Sequence, residues 1–231
     1  RSDGTTILGA DDKSAIAVVL EALQVVRERR IGHGPLELVF TTCEEIGLTG
    51  AKNLDFGRIN GRFGYALDAT DTEGIITRSP SADRFEITVV GRDAHAGAHP
   101  EKGINAIHLA AKAMAGLAIG RIDPETTCNI GVIEGGTATN IVPPLVRLRG
   151  EARSHDEEKL ARVTRGILEA FEKTASDHRD PTGSDGLPRV ESDVRRSYHR
   201  TRIADEHPLV SLATRAAANL NRPMKTKISG G

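Results

Sequence analysis

Apolar positions recur along this chain with two periods, and the change between them divides it. Ile16, Val19, Leu20, Leu23 and Val26 repeat at helical spacing and predict an amphipathic helix over Ser14 to Arg30. Arg1 to Leu8 reads as a turn around Asp3-Gly4 followed by a short strand, and a Gly/Pro break follows the helix at Gly32 to Pro35. Continuous β-branched and aliphatic runs then predict buried strands at Leu36 to Thr41 and Phe63 to Asp68, with a short helix at Leu48 to Leu54 between them. Strand, helix, strand, helix, strand with short connections implies a mostly parallel sheet covered by helices.

From about Ser81 the period becomes two. Phe85, Ile87 and Val89 alternate with Glu86 and Thr88, the pattern of a strand with one packed face. An Ala-rich helix over Gly103 to Ala118 follows, then strands near Thr127 to Ile133 and Leu145 to Ala152, and a helix from His155 to Ser176. Ser154 and Glu157 have capping-box spacing at its start, and Leu160, Val163, Ile167 and Phe171 form its apolar stripe. Asp180 to Pro188 is a polar loop and Arg189 to Tyr198 a last alternating strand, which completes a βαββαβ unit of α+β type. That unit reads as an insertion. A helix over Pro208 to Leu220 and a strand over Lys225 to Ile228 return to the first domain, so the expected division is 1–80 with 199–231, interrupted by 81–198.

Composition narrows the function. No run approaches the ~20 apolar residues of a membrane span. A formal charge of −1 with dispersed basic residues gives no field for nucleic acid or anionic lipid, and a small substrate is more natural. Cys43 and Cys128, with no metal-like spacing, favour a reducing compartment, with cytoplasm as the default.

The candidate chemistry lies in carboxylates at element ends. Glu44 and Glu45 follow the apolar run of VFTTCEEIG, Asp11 stands in GADDK before a helix, and Asp68 ends the strand of YALDAT. Each has an ordinary explanation, as a helix-starting acid, an N-cap or a turn residue. Together on one sheet edge they would repel one another strongly unless cations neutralised them. Cys43 has no His placed to activate it, and His99 and His108 read as loop and helix-surface residues. His33, His155, His178, His199 and His207 read as solvated surface. GGTAT at Gly135 to Thr139 lacks the Lys-Ser/Thr ending of a phosphate loop.

The segments GADDK, TTCEEIG, ALDAT, GRDAHAGAHPEKGINAI, EGGTATNIVP and GEARS, in this order, resemble the peptidase T-like metallopeptidases. Those belong to the wider dizinc family with carboxypeptidase G, acetylornithine deacetylase and succinyl-diaminopimelate desuccinylase. The resemblance implies a three-layer α/β zinc-peptidase domain interrupted by a lid domain through which homodimers form. It implies that Asp11 bridges two zinc ions, that Glu45 and Asp68 are terminal ligands, and that Glu44 is the general base. In the lid, His95 resembles a residue that stabilises the oxyanion, often in the neighbouring subunit's site, while Asn140 and Arg153 resemble substrate binders. Gly135-Gly136 would allow close backbone approach there. Cobalt or manganese would also suit such ligands. The implied substrate is a short peptide cleaved at its amino-terminal bond. The alternatives are an N-acyl amino acid deacylase of the same family and a non-catalytic dimerisation or binding module. The family's His-x-Asp motif before GADDK and its final His after Gly-Gly-(Ser/Thr)-Asp do not fall within Arg1 to Gly231. The chain is therefore expected to be truncated at both ends, to bind metal weakly and to have little or no activity by itself.

Overall fold

The computed structural model describes residues 1–6, 8–69, 72–178 and 186–230. It divides into two compact units, Arg1–Ile75 with Asp205–Thr226, and Ile76–Ala204 with Lys227–Gly231.

In the first unit α1 (Ala10–Glu28) and α5 (Pro208–Asn219) match the helical periods. A short α2 (Thr49–Lys52) lies within the expected helix. The strands expected at Leu36 to Thr41 and Phe63 to Asp68 are not strands, and no parallel ladder joins them among the described residues. Strand formation needs a partner for every second N–H and C=O, and these segments find none. Arg1 to Leu8 also forms no strand among its described residues, with Ile7 outside them. No residue of α1 is buried, and Ile16 and Leu20 of its apolar stripe are 42% and 50% exposed. The apolar burial of this unit lies in α5, at Leu209, Val210 and Ala217, and polar clips add to it. The Glu37 carboxylate accepts from the backbone N–H groups of Asn60 (2.9 Å) and Gly61 (2.5 Å), which holds it below the usual carboxylate range. The Tyr65 hydroxyl donates to the Leu209 carbonyl at 2.7 Å.

The second unit carries a continuous core. Its sheet has the order β3-β4-β5-β2-β6, built from β2 (Ser81–Val90), β3 (Gly120–Asp123), β4 (Thr126–Gly135), β5 (Leu145–Ser154) and β6 (Arg189–Tyr198). All its pairings are antiparallel. Helices α3 (Ala106–Ala115) and α4 (Glu157–His178) pack on one face. Phe85, Ile87 and Val89 of β2, Val146 and Leu148 of β5, Leu109 of α3, and Ile167 and Phe171 of α4 make one buried cluster there. The expected βαββαβ order is present with one addition, the short edge strand β3, whose GRID sequence is too brief to show a period. A second sheet, β7-β1-β8, joins β1 (Gly74–Ser79), β7 (Thr201–Arg202) and β8 (Lys225–Ile228). Residues 180–185 of the expected Asp180 to Pro188 loop lie outside the described residues.

The capping box expected at α4 is replaced. Asp156 is the cap, its Oδ1 accepting from the Lys159 N–H at 2.8 Å, because Ser154 is buried against Thr126 (2.9 Å). Glu157 serves another purpose. It accepts from the Ser81 hydroxyl and from Arg196 Nη1 (2.6 Å), while Arg196 Nε donates to Asp83 at 2.6 Å and Thr164 donates to Asp83 at 3.0 Å. This network ties β2, β6 and α4 together under the sheet. Among the histidines read as solvated, His155 Nε2 lies 3.0 Å from the Ser229 carbonyl, His33 Nδ1 lies 2.6 Å from the Gly34 carbonyl, and His207 Nδ1 accepts from the Leu209 N–H to cap α5.

Phe171 is 1% exposed at the centre of the cluster, so Phe171→Ala should cost about 3–5 kcal/mol in chemical denaturation. The hydrogen bond from Ser81, opposed by burial and reinforced by Arg196, holds Glu157 below its ordinary value of 4.5. A depressed carboxylate stabilises the fold above its unfolded pKa and ceases to as pH falls through the folded one. Thermal melting should therefore fall as pH drops below about 4.5, and Glu157→Gln should be less stable at neutral pH and flatten that acid limb.

Candidate metal centre

The carboxylates of the first unit are positioned by a helix start and a tight loop. Gly9, with φ of 69°, leads into α1, but Asp11 and Asp12 have non-helical backbone angles. Asp12 Oδ1 accepts from the Ala15 N–H at 3.2 Å, so Asp12 acts as the cap of the regular helix. Asp11 is thereby released from capping, although an N-cap was its ordinary reading. Glu44 and Glu45 sit in a loop in which Cys43, Gly47 and Leu48 all have positive φ (60°, 97° and 60°). The Glu44 carbonyl accepts from Gly47 and Leu48 at 3.0 and 2.8 Å, and the Gly50 N–H donates to the Thr42 carbonyl at 2.9 Å. A Cβ at Gly50 would lie 2.4 Å from that carbonyl oxygen, so only glycine lets the loop close.

Asp11 and Asp68 are brought together, and Asp12 joins them. Each offers one oxygen, and the three lie within 4.8 Å of one another on the surface. Glu44 and Glu45 stand outside this triple but close enough to feel it. Partial desolvation, then the charges of Glu45, Asp68 and Asp11, push the Glu44 carboxyl up. Partial desolvation, then Asp11, Asp12 and Glu45, push Asp68 up. Asp12 was not singled out as a ligand; the doubled aspartate of GADDK was its only signal. Three hard oxygen donors beside two further carboxylates fit a divalent cation by charge and by chemistry.

The remaining candidates lie in the second unit and are not gathered at one place. The His95 backbone bridges to Ile141, and the Ala96 N–H donates to the Asn140 carbonyl at 2.9 Å, so His95 and Asn140 are neighbours. They lie beyond the end of the sheet where Val90 pairs with Leu145. His95 Nδ1 accepts from the Gly97 and Ala98 N–H groups at 3.2 and 3.1 Å, which places the neutral ring's proton on Nε2. Arg153 is at the opposite end of β5, opposite Ala82 of β2 and Thr127 of β4. At strand rise that separates it from the His95 end by about 25 Å. The close approach expected of Gly135 is made to its own sheet: a Cβ there would lie 2.5 Å from Val146 Cγ2. With Gly136, Thr137, Leu145 and Arg147 it lines an open depression of about 240 Å³. Cys43 and Cys128 are unpaired, the first exposed and the second buried.

The peptidase dimerisation domain family matches residues 79–179, and the M42 glutamyl aminopeptidase family matches residues 7–101. The protein YqjE of Bacillus subtilis (strain 168) is 44% identical over 100% of this chain and 60% of its own length. The crystal structure of aminopeptidase PepT from Bacillus cereus ATCC 10987 is 44% identical with a TM-score of 0.86. That of a tripeptidase from Staphylococcus aureus subsp. aureus mu50 is 41% identical with a TM-score of 0.92. Both cover 100% of this chain and 60% of the solved one, so the chain spans about 60% of the length of these relatives. Fold and likeness are those of α/β peptidases interrupted by an α+β dimerisation unit, and within that class the chain is similar to peptidase T-like proteins.

The crowding of these like charges predicts a thermal signature. Zinc or manganese should raise the melting temperature of the chain at neutral pH. Asp68→Asn should raise it in chelator, remove most of the metal-dependent rise, and weaken metal binding by calorimetry at least about tenfold, the loss that even an outer-shell partner causes.

Proposed function

We propose that this chain carries the chemistry of a dizinc aminopeptidase that removes the first residue of short peptides. The observation that supports it most is the surface cluster of Asp11, Asp12 and Asp68 with Glu44 and Glu45 beside it. Asp11, Glu45 and Asp68 are the proposed metal ligands, with Asp12 a further donor. Zinc is favoured, and cobalt or manganese are tolerated. When bound, such cations would supply Lewis acidity to the substrate carbonyl and lower the pKa of the attacking water.

Glu44 is the proposed general base. Partial desolvation and the neighbouring carboxylates push its pKa up, which suits it to take up a proton and return it. It takes a proton from the attacking water as the new C–O bond forms, and delivers it to the nitrogen as the C–N bond breaks. The products are an amino acid and a peptide shortened by one residue. His95, through Nε2–H, donates to the oxyanion, Asn140 binds the substrate backbone, and Arg153 takes the peptide's terminal carboxylate.

The catalytic domain is proposed as 1–80 with 199–231 and the lid as 81–198, forming a homodimer. The two ends of the sheet support the dimer. A fully extended tripeptide reaches about 11 Å, less than half the way from His95 to Arg153 within one protomer. One substrate is therefore held by Arg153 of one copy and by the His95 and Asn140 end of the other. No described helix is long and apolar enough to cross a membrane, and two unpaired cysteines suit the cytoplasm.

The test is metal content and hydrolysis by the protein as its gene encodes it, with a tripeptide panel against N-acetylated amino acids. Tripeptide cleavage with two metals, lowered by about 10²–10⁴ in kcat in Glu44→Gln with metal retained, supports the proposal. Cleavage of the acetylated series alone would identify a deacylase, and absence of metal would leave a binding module.

A further inference from the structure

Arg153 is tethered by a neighbour on its own strand, in a setting less exposed than the same-strand pairs of β6. Its Nε–H donates to Glu151 Oε1 at 2.8 Å, and its Nη2 lies 2.8 Å from the same oxygen. Glu151 and Arg153 are two residues apart on β5 and so share a face of the sheet. Pairs of this spacing also occur on the edge strand β6, where Arg189 meets Glu191 and Arg195 meets Asp193. Burial separates the cases. Arg153 and Glu151 are 28% and 33% exposed, whereas the β6 pairs are 52% with 59% and 82% with 57%. An exposed pair of this kind is screened and contributes little, while a half-buried one restricts its arginine. The Glu151 hydrogen bond is also the foremost cause holding the Arg153 pKa above its ordinary value.

The geometry determines what is left for a ligand. A guanidinium has five N–H donors on two usable edges, one formed by Nε with Nη2 and one by the two terminal nitrogens. Glu151 occupies the first edge. No other described residue takes the second, which retains the parallel N–H pair that fits a carboxylate.

We propose that Glu151 is a positioning residue that fixes Arg153 with its terminal edge outward, so that the site selects peptides ending in a free carboxylate. This rests on the reading of Arg153 as the carboxylate binder. An untethered arginine could turn either edge to a ligand and would have to be ordered on binding; the Glu151 tether removes that cost before the substrate arrives.

The experiment compares a tripeptide with the same tripeptide amide, using the metal-loaded protein as its gene encodes it. Arg153→Ala should abolish the preference for the free acid. Glu151→Ala should raise KM for the free acid about tenfold, with kcat within about twofold and the amide unaffected. Glu151→Gln, which keeps an acceptor but no charge, should fall between. As a readout independent of turnover, the Arg153 Nε–H proton should exchange slowly with solvent by NMR. It should exchange rapidly in Glu151→Ala, with backbone amide positions outside β5 unchanged. Loss of the preference in Arg153→Ala with wild-type behaviour in both Glu151 variants overturns the inference alone. An unchanged preference in Arg153→Ala overturns the reading of Arg153 and the inference with it.

Discussion

The second unit is organised by the double pairing of β5. It is laddered to β2 from Leu145 to Ser154 on one side and to β4 from Val146 to Ser154 on the other. A strand held on both edges cannot slip, because a shift of one residue would turn Val146, Leu148 and Ala152 out of the core and Arg147, Arg149 and Arg153 into it. That register fixes Arg153 and Glu151 at one end of the open face. Through the Pro144 to Gly91 and Ile141 to His95 contacts it also fixes His95 and Asn140 beyond the other. The distance between the two groups is thus a property of the core. A peptide too short to span one protomer needs two, and so the dimer in our proposal follows from strand rise as well as from the family likeness.

The two units were not equally legible in the sequence. In the second, alternating residues on β2 and the helical stripe of α4 agree with the burial they produce, because each element finds its partners within the chain described. In the first, Leu36 to Thr41 and Phe63 to Asp68 have the composition of buried strands, yet Leu36, Phe40 and Phe63 are more than half exposed. Composition reports what a segment would do with neighbours; a ladder requires the neighbours themselves. The same distinction applies to the polar residues. Asp11 and Asp68 stood out in the sequence as carboxylates at element ends, but Asp12 did not, because its helix-capping role and its closeness to Asp68 are separate facts of geometry. The tethering of Arg153 could not be read at all, since an i, i+2 Glu-Arg pair gains its meaning only from burial.

The carboxylate cluster is held in place by parts that do not themselves favour it. Gly50 closes the Glu44 loop, and the Tyr65 hydroxyl fixes the segment leading to Asp68 against α5. Each is satisfied by its own hydrogen bonds whatever the charge nearby. The acids are therefore kept close despite their repulsion, which adds to partial desolvation in pushing Glu44 and Asp68 up. A cation entering such a site gains the attraction of several carboxylates without first having to gather them. The same arrangement leaves Glu44 near enough to be influenced by those charges yet outside the triple of Asp11, Asp12 and Asp68, a position compatible with the base role proposed for it.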